Sequence, residues 1–146
     1  MDSADNSADT YDRLVKPGDL RMLEAVRDGA FNMLHVYRTA LNFAGFGDYP
    51  VHAINWTDRY AGPSIASVSG WMQPAICGGL NNLGTMAEAS PEDCEKEVTD
   101  ALRQAGDRPM NLAPGCTFDP DTVLAEKLIA IRKSVENWPG LQASVF

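Results

Sequence analysis

Basic residues are in short supply in this chain. Twelve Lys and Arg stand against twenty Asp and Glu, giving a formal charge of −8 and a sequence pI near 4.6. An acidic surface repels polyphosphate backbones and anionic headgroups, which excludes nucleic acid and membrane as expected partners. Cysteine is scarce as well. Cys77, Cys94 and Cys116 form an odd, sparse set that supplies no disulfide framework, so each thiol is judged by its own surroundings. No apolar run approaches the roughly 20 residues a membrane span requires, and the opening Met1-Asp2-Ser3-Ala4-Asp5 is not a basic segment leading into an apolar one. A cytoplasmic protein is expected. Gly78-Gly79 has neither GxGxxG nor GKS/T spacing, so no phosphate cradle is supported.

The chain does contain enough apolar material for a core: 146 residues at 45% hydrophobic composition suit one domain and exclude disorder throughout. Residues 1–10 carry no apolar periodicity, and 1–15 read as a disordered tail, 16–138 as the folded unit and 139–146 as a second tail. From Pro17 the pattern predicts a helix over about 17–28, with Leu20, Leu23 and Val26 on one face and Gly29 as the stop. Phe31 to Tyr37 predicts a first buried strand, followed by an amphipathic stretch over 38–46. Val51 to Trp56 predicts a second strand, and Gly62-Pro63-Ser64 opens a short helix ending near Gly70. Gln73 to Cys77 predicts a third strand, begun by Pro74 and ended by Gly78-Gly79.

Ser90-Pro91-Glu92-Asp93 is the clearest helix start: an N-cap Ser, Pro at the first helical position and an acid at the third. Cys94, Val98, Ala101, Leu102 and Ala105 give that helix its apolar face, and Gly106 ends it. Pro109 to Ala113 predicts a fourth strand. Asp119-Pro120-Asp121 is then expected to cap a last helix with Leu124, Leu128, Ile131 and Val135 inward. Strict α-βα-βα-βα-βα alternation implies an α/β fold with a parallel sheet and right-handed crossovers, either doubly wound and open or part of a (β/α)8 barrel.

In parallel α/β folds, reactive side chains gather where strands end. Those positions hold His35 and Tyr37, Asn55 and Asp58, Gly78 to Asn81, and Asn111 to Thr117. His35 and Tyr37, two apart on a strand, point to one face. A neutral imidazole there either binds a metal or moves a proton, or is a core histidine bonded to a carbonyl; His52, at a strand start, reads as structural or exposed. Cys116, in a Pro-Gly-Cys turn, is either a thiolate presented to the rim or an unreactive, partly buried thiol. Cys77 and Cys94 read as core. Asp58 is either an acid–base group or a solvated loop carboxylate, and Trp56 lines a pocket or packs.

The runs His52-Ala53-Ile54-Asn55-Trp56-Thr57-Asp58, Ile76-Cys77-Gly78-Gly79-Leu80 and Asn111-Leu112-Ala113-Pro114-Gly115-Cys116 occur in an order, with Ser90-Pro91-Glu92 between them, that resembles the C-terminal half of the uroporphyrinogen decarboxylase superfamily. That superfamily includes the decarboxylase (a lyase) of porphyrin and haem biosynthesis and cobalamin-dependent methyltransferases acting on corrinoid proteins or thiols. The resemblance implies strands five to eight of a TIM-type barrel, a parallel four-stranded half. It implies substrate-binding roles for His35, Tyr37, Asn55, Asp58, Gly78, Gly79 and Asn111 toward a small-molecule or tetrapyrrole-related ligand. Zinc is the implied cofactor, with His35 and Cys116 matching two ligand positions and Tyr37 standing where the family's methyltransferases have the middle thiolate. The decarboxylase has a histidine after its last strand, whereas no His lies between Arg108 and Phe118 here. Four strands do not close a barrel, so a homodimer or a separate N-terminal half-barrel is the expected partner. The alternative is a non-catalytic barrel fragment or binding module that needs a partner half.

Overall fold

A computed structural model describes residues 7–37 and 42–142. Four strands, β1 (Met33–Val36), β2 (Ala53–Trp56), β3 (Ala75–Leu80) and β4 (Met110–Pro114), form one sheet in the order β1-β2-β3-β4, with every pair parallel. Strand order equals chain order, so the reversal that defines a doubly wound sheet is missing and the expected barrel-type half is the architecture found. The arc is not closed, and β1 and β4 are its edges.

The register explains which residues meet. Leu34, Ile54, Ile76 and Met110 lie in one row across the sheet, and His35, Asn55, Cys77 and Asn111 in the next. Side chains alternate along a strand, so these rows face opposite sides. The apolar row belongs to the core. Val36, Ile54, Trp56 and Ile76 pack there with Ile65 and Val68 of α3 (Ile65–Val68) and with Ala101 and Ala105 of α5 (Pro91–Ala105). A second cluster joins Leu80, Met86 of α4 (Thr85–Glu88), Cys94, Val98, Val123 and Ile131 of α6 (Ala125–Glu136).

α5 forms as its sequence predicts. The Ser90 hydroxyl accepts from the Asp93 amide at 3.2 Å, Pro91 opens the helix, and Gly106 closes it at φ 58°. Elsewhere the structure corrects the reading. Gly78 and Gly79 lie within β3 and do not end it. The Asp119 carboxylate accepts from the Asp121 amide at 2.9 Å in a turn, and α6 begins later, at Ala125, with Leu124 before it making no side-chain cap. Ile131 is buried and Val135 packs against the second cluster as expected, and Lys127 and Ala130 join them on the buried side, while Leu124 and Leu128 are 54% and 40% exposed. Lys127 explains the rotation. Its Nζ donates to the carbonyls of Met86 and Ala87 at 3.0 and 2.9 Å, satisfying α4 groups that would otherwise lack partners and holding this face inward. The first helix found in 16–28 is α2 (Lys16–Ala25), shorter than expected.

The tail expected over 1–15 is in part a helix, α1 (Ala8–Leu14), capped by the Ser7 hydroxyl. A single aromatic anchors it, which a search for periodicity does not register. The buried Tyr11 hydroxyl donates to Asp19 at 2.7 Å and lies 2.5 Å from the Tyr49 hydroxyl. Burial pushes both phenols upward, Tyr49 to about 12. In the second expected tail, Pro139–Gln142 form the short α7; residues 1–6 and 143–146 lie outside the described residues. Of the amphipathic stretch 38–46, residues 38–41 also lie outside them, and Phe43–Phe46 form a 3-10 turn. Among the described residues no helix is long and apolar enough to cross a membrane.

Candidate functional site

The site depends on the turn that follows β4. The Gly115 amide donates to the Leu80 carbonyl at 3.1 Å, and the chain then folds across the end of β3 onto β2. A Cβ on Gly115 would stand 2.6 Å from Thr57 Cα and 2.8 Å from the Trp56 carbonyl oxygen. Only glycine permits that approach of backbone to backbone. The turn brings Cys116 to the strand ends, where a cavity of about 490 Å3 is lined by His35, Asn55, Cys77 and Cys116 with Met33, Ala113 and Phe118 among its apolar walls. Among the described residues no Lys, Arg, Asp or Glu lines it.

Asn55, 7% exposed, is the centre of its hydrogen bonding. The Nδ2 group donates to the carbonyl oxygens of Cys77 at 3.0 Å and Pro114 at 3.1 Å, while Oδ1 lies 2.6 Å from His35 Nδ1. Burial raises the Cys77 thiol, partly offset by Asn55, which keeps it protonated at neutral pH. Cys116 is partly exposed, its sulfur 3.8 Å from the Thr117 hydroxyl. Sequence reasoning placed Cys77 in the core. It is buried, yet it also lines the cavity, because it stands in register with Asn55. The spacing of inward residues along successive parallel strands was the available signal.

Other expected site residues have different surroundings. The Tyr37 ring stacks near the His35 ring, centroids 6.1 Å apart, but is 59% exposed and does not line the cavity. Asn111 is exposed on the edge strand, level with Cys77 but outside the cavity lining. Asp58 is buried beneath the rim, where Oδ1 accepts from the Gly79 amide at 2.8 Å and Oδ2 lies 3.3 Å from Arg59 Nε. Burial still pushes its carboxyl above the ordinary value, against the opposing pull of the Gly79 amide and Arg59. Arg59 also donates to the carbonyls of Gly79 and Glu97 and pairs with Asp100, tying β3 to α5. A Cβ on Gly78 would fall 2.7 Å from Asp58 Oδ1, and Gly79, at φ 103°, faces Ala101 and Met110 at similarly short range. These glycines make room for the Asp58 contact and for α5; neither lines the cavity.

The donor set does not fit zinc. Among the described residues no three His, Cys, Asp or Glu side chains stand close enough together to hold a metal ion. His35, Cys77 and Cys116 all line the cavity but do not stand close enough together to hold one ion, and Tyr37 is exposed outside it. A catalytic zinc site needs three protein ligands.

One solved structure gives a comparison for the fold. A methyltransferase from Methanosarcina mazei superposes on 92% of this chain with a TM-score of 0.76, at 17% sequence identity. The chain spans 39% of that protein's length. No protein-family profile matches the sequence, and no curated protein matches it. The likeness establishes the fold, a parallel α/β arrangement shared with part of that protein.

Proposed function

We propose that this chain supplies the C-terminal, rim-bearing part of a methyltransferase-like (β/α)8 barrel of the uroporphyrinogen decarboxylase superfamily, binding a small organic molecule at the strand ends. The convergence of His35, Asn55, Cys77 and Cys116 on one cavity carries this reading. Active sites of (β/α)8 enzymes are built at that face. The methyltransferase branch is preferred over the decarboxylase branch because the solved structure on which this chain superposes is a methyltransferase. A methylcorrinoid bound at this face would supply the methyl group for a protic acceptor, and the His35 imidazole would take the proton that the acceptor gives up.

Completion of the barrel is part of the proposal. β1 and β4 expose unpaired edges, and Met33 of β1 and Tyr37 just after it are large apolar side chains at least half exposed. Such edges and patches favour association, either with a second copy or with a separate N-terminal half-barrel. Light scattering at micromolar concentration is expected to give a mass above one chain, or a stoichiometric complex once that half is added. A monodisperse monomer indifferent to the added half would refute it. For the reaction, methyl transfer from methylcobalamin to a small thiol is expected only from the completed assembly and is lost in His35→Ala; equal rates in the variant would count against the assignment.

A non-catalytic binding module is the second reading, favoured by the absence, among the described residues, of three side chains placed to hold one metal ion. Metal analysis of the completed assembly separates the two branches of that question: stoichiometric zinc lost in Cys116→Ala would favour catalysis.

A further inference from the structure

We infer that Asn55 is a positioning residue that holds His35 as the Nδ1–H tautomer, leaving Nε2 as the unprotonated nitrogen of a ring that lines the cavity. The inference deepens the function proposed above and rests on it only for the use to which Nε2 is put.

The argument runs through hydrogen-bond roles. Both acceptors around Asn55 Nδ2, the carbonyls of Cys77 and Pro114, are backbone oxygens that can only accept. Turning the amide over would set Oδ1 against two carbonyl oxygens, so Nδ2 faces them and Oδ1 faces His35. An amide oxygen has no proton to give. The 2.6 Å contact with His35 Nδ1 therefore requires the proton on Nδ1. In a neutral ring Nε2 then carries a lone pair, which is the state that accepts a proton or a hydrogen bond. An imidazole free in water prefers the opposite tautomer, so the contact changes what the ring can do as well as where it points.

The tautomer also selects the ligand class. A lone pair at Nε2, apolar walls and no cationic side chain among the described lining residues suit a neutral molecule with one O–H, S–H or N–H group and disfavour a carboxylate. When such a group gives up its proton, Nε2 receives it. The resulting imidazolium keeps its Nδ1–H on Asn55 Oδ1, so the proton transfer needs no ring flip.

Two-bond proton–nitrogen correlation on the 15N-labelled full chain, at a pH where the ring is neutral, tests this directly. The chain has two histidines, so His52→Gln assigns the signals. The expected pattern for His35 is a protonated Nδ1 and a bare Nε2; the reverse pattern overturns the inference. Asn55→Ala, if its sheet amides keep their shifts, is expected to move His35 toward Nε2–H. Retention of Nδ1–H in that variant would show that Asn55 does not set the tautomer, and if the variant fails to fold, the unmodified chain decides by its own pattern. Adding 2-mercaptoethanol should shift Nε2 by more than equal acetate does. An equal or larger acetate shift overturns the ligand class, whereas loss of methyl transfer with the tautomer intact would count against the proposed function alone.

Discussion

β2 and β3 are buried almost from end to end, whereas β1 and β4 are not. Every residue of Ala53–Trp56 is buried and five of the six in Ala75–Leu80 are, but Met33 and His35 of β1 and Asn111 of β4 are exposed. All four strands share one hydrogen-bonding pattern, so the difference lies in what covers them. The middle of the arc meets α3 and α5 on one side and has sheet on both flanks. The edges have a neighbour on one flank only. The centre therefore carries the stability of this chain, while the edges keep surface for further protein.

The strongest way to break that contrast is Trp56→Ala. Trp56 is fully buried, packs on Phe43 at 4.9 Å between ring centroids and donates to the Pro63 carbonyl at 2.8 Å. Its loss is expected to cost about 3–5 kcal/mol in denaturant unfolding; a cost under about 1 kcal/mol would show that the centre is not the stabilising part. Gly115→Ala tests where an edge strand is tied back to the centre. The added methyl meets Thr57 and Trp56 backbone that has no easy escape, for an expected loss of about 1–3 kcal/mol together with increased thiol accessibility of Cys116. Unchanged stability and labelling rate would contradict the tie.

Asp58 gives a signed pH test at the end of β2. Its folded carboxyl is raised, so the fold prefers it protonated, and that contribution is fully present below the ordinary value near 3.8 and lost as pH rises through the folded value. Relative to Asp58→Asn, the unmodified chain should lose stability as pH climbs from about 3.8 toward neutrality. The opposite slope would mean that the Gly79 amide and Arg59 outweigh burial. The smallest effect is expected at the edge: Met33→Ala, at a side chain 50% exposed, should change stability by no more than about 0.5 kcal/mol. A larger loss in the chain by itself would mean that β1 is covered in solution, and would sharpen the contrast into an interface.

The contrast also explains what the sequence made legible. Ser90-Pro91 and Gly106 fix α5 by local chemistry, and alternation of helix and strand gives the parallel sheet, because both signals act over a few residues. The rotation of α6 was hidden because Lys127 is held by carbonyls about forty residues away, and a buried lysine breaks any apolar stripe. α1 was hidden because a single Tyr11 holds it. In the site, His35, Asn55 and Cys116 could be named from strand ends, but Asp58 and Gly79 answer to each other beneath the rim. Cys77 joined the cavity through register, which depends on pairing and not on residue type.

The crossing of the Gly115 turn over β3 also bears on the order in which the molecule assembles. His35 meets Asn55 across 20 residues of sequence, and Asn55 meets the Cys77 carbonyl across 22. The bond from Asn55 to Pro114 spans 59. Loop closure over the longer span costs about 1 kcal/mol more than over the shorter ones, and it requires β3 and β4 to be in place first. Adjacent strands can thus zip together by short-range encounters, while the turn that brings Cys116 to the cavity closes late. A transition state formed in β2 and β3 but not in this turn would leave Gly115→Ala acting mainly on the unfolding rate.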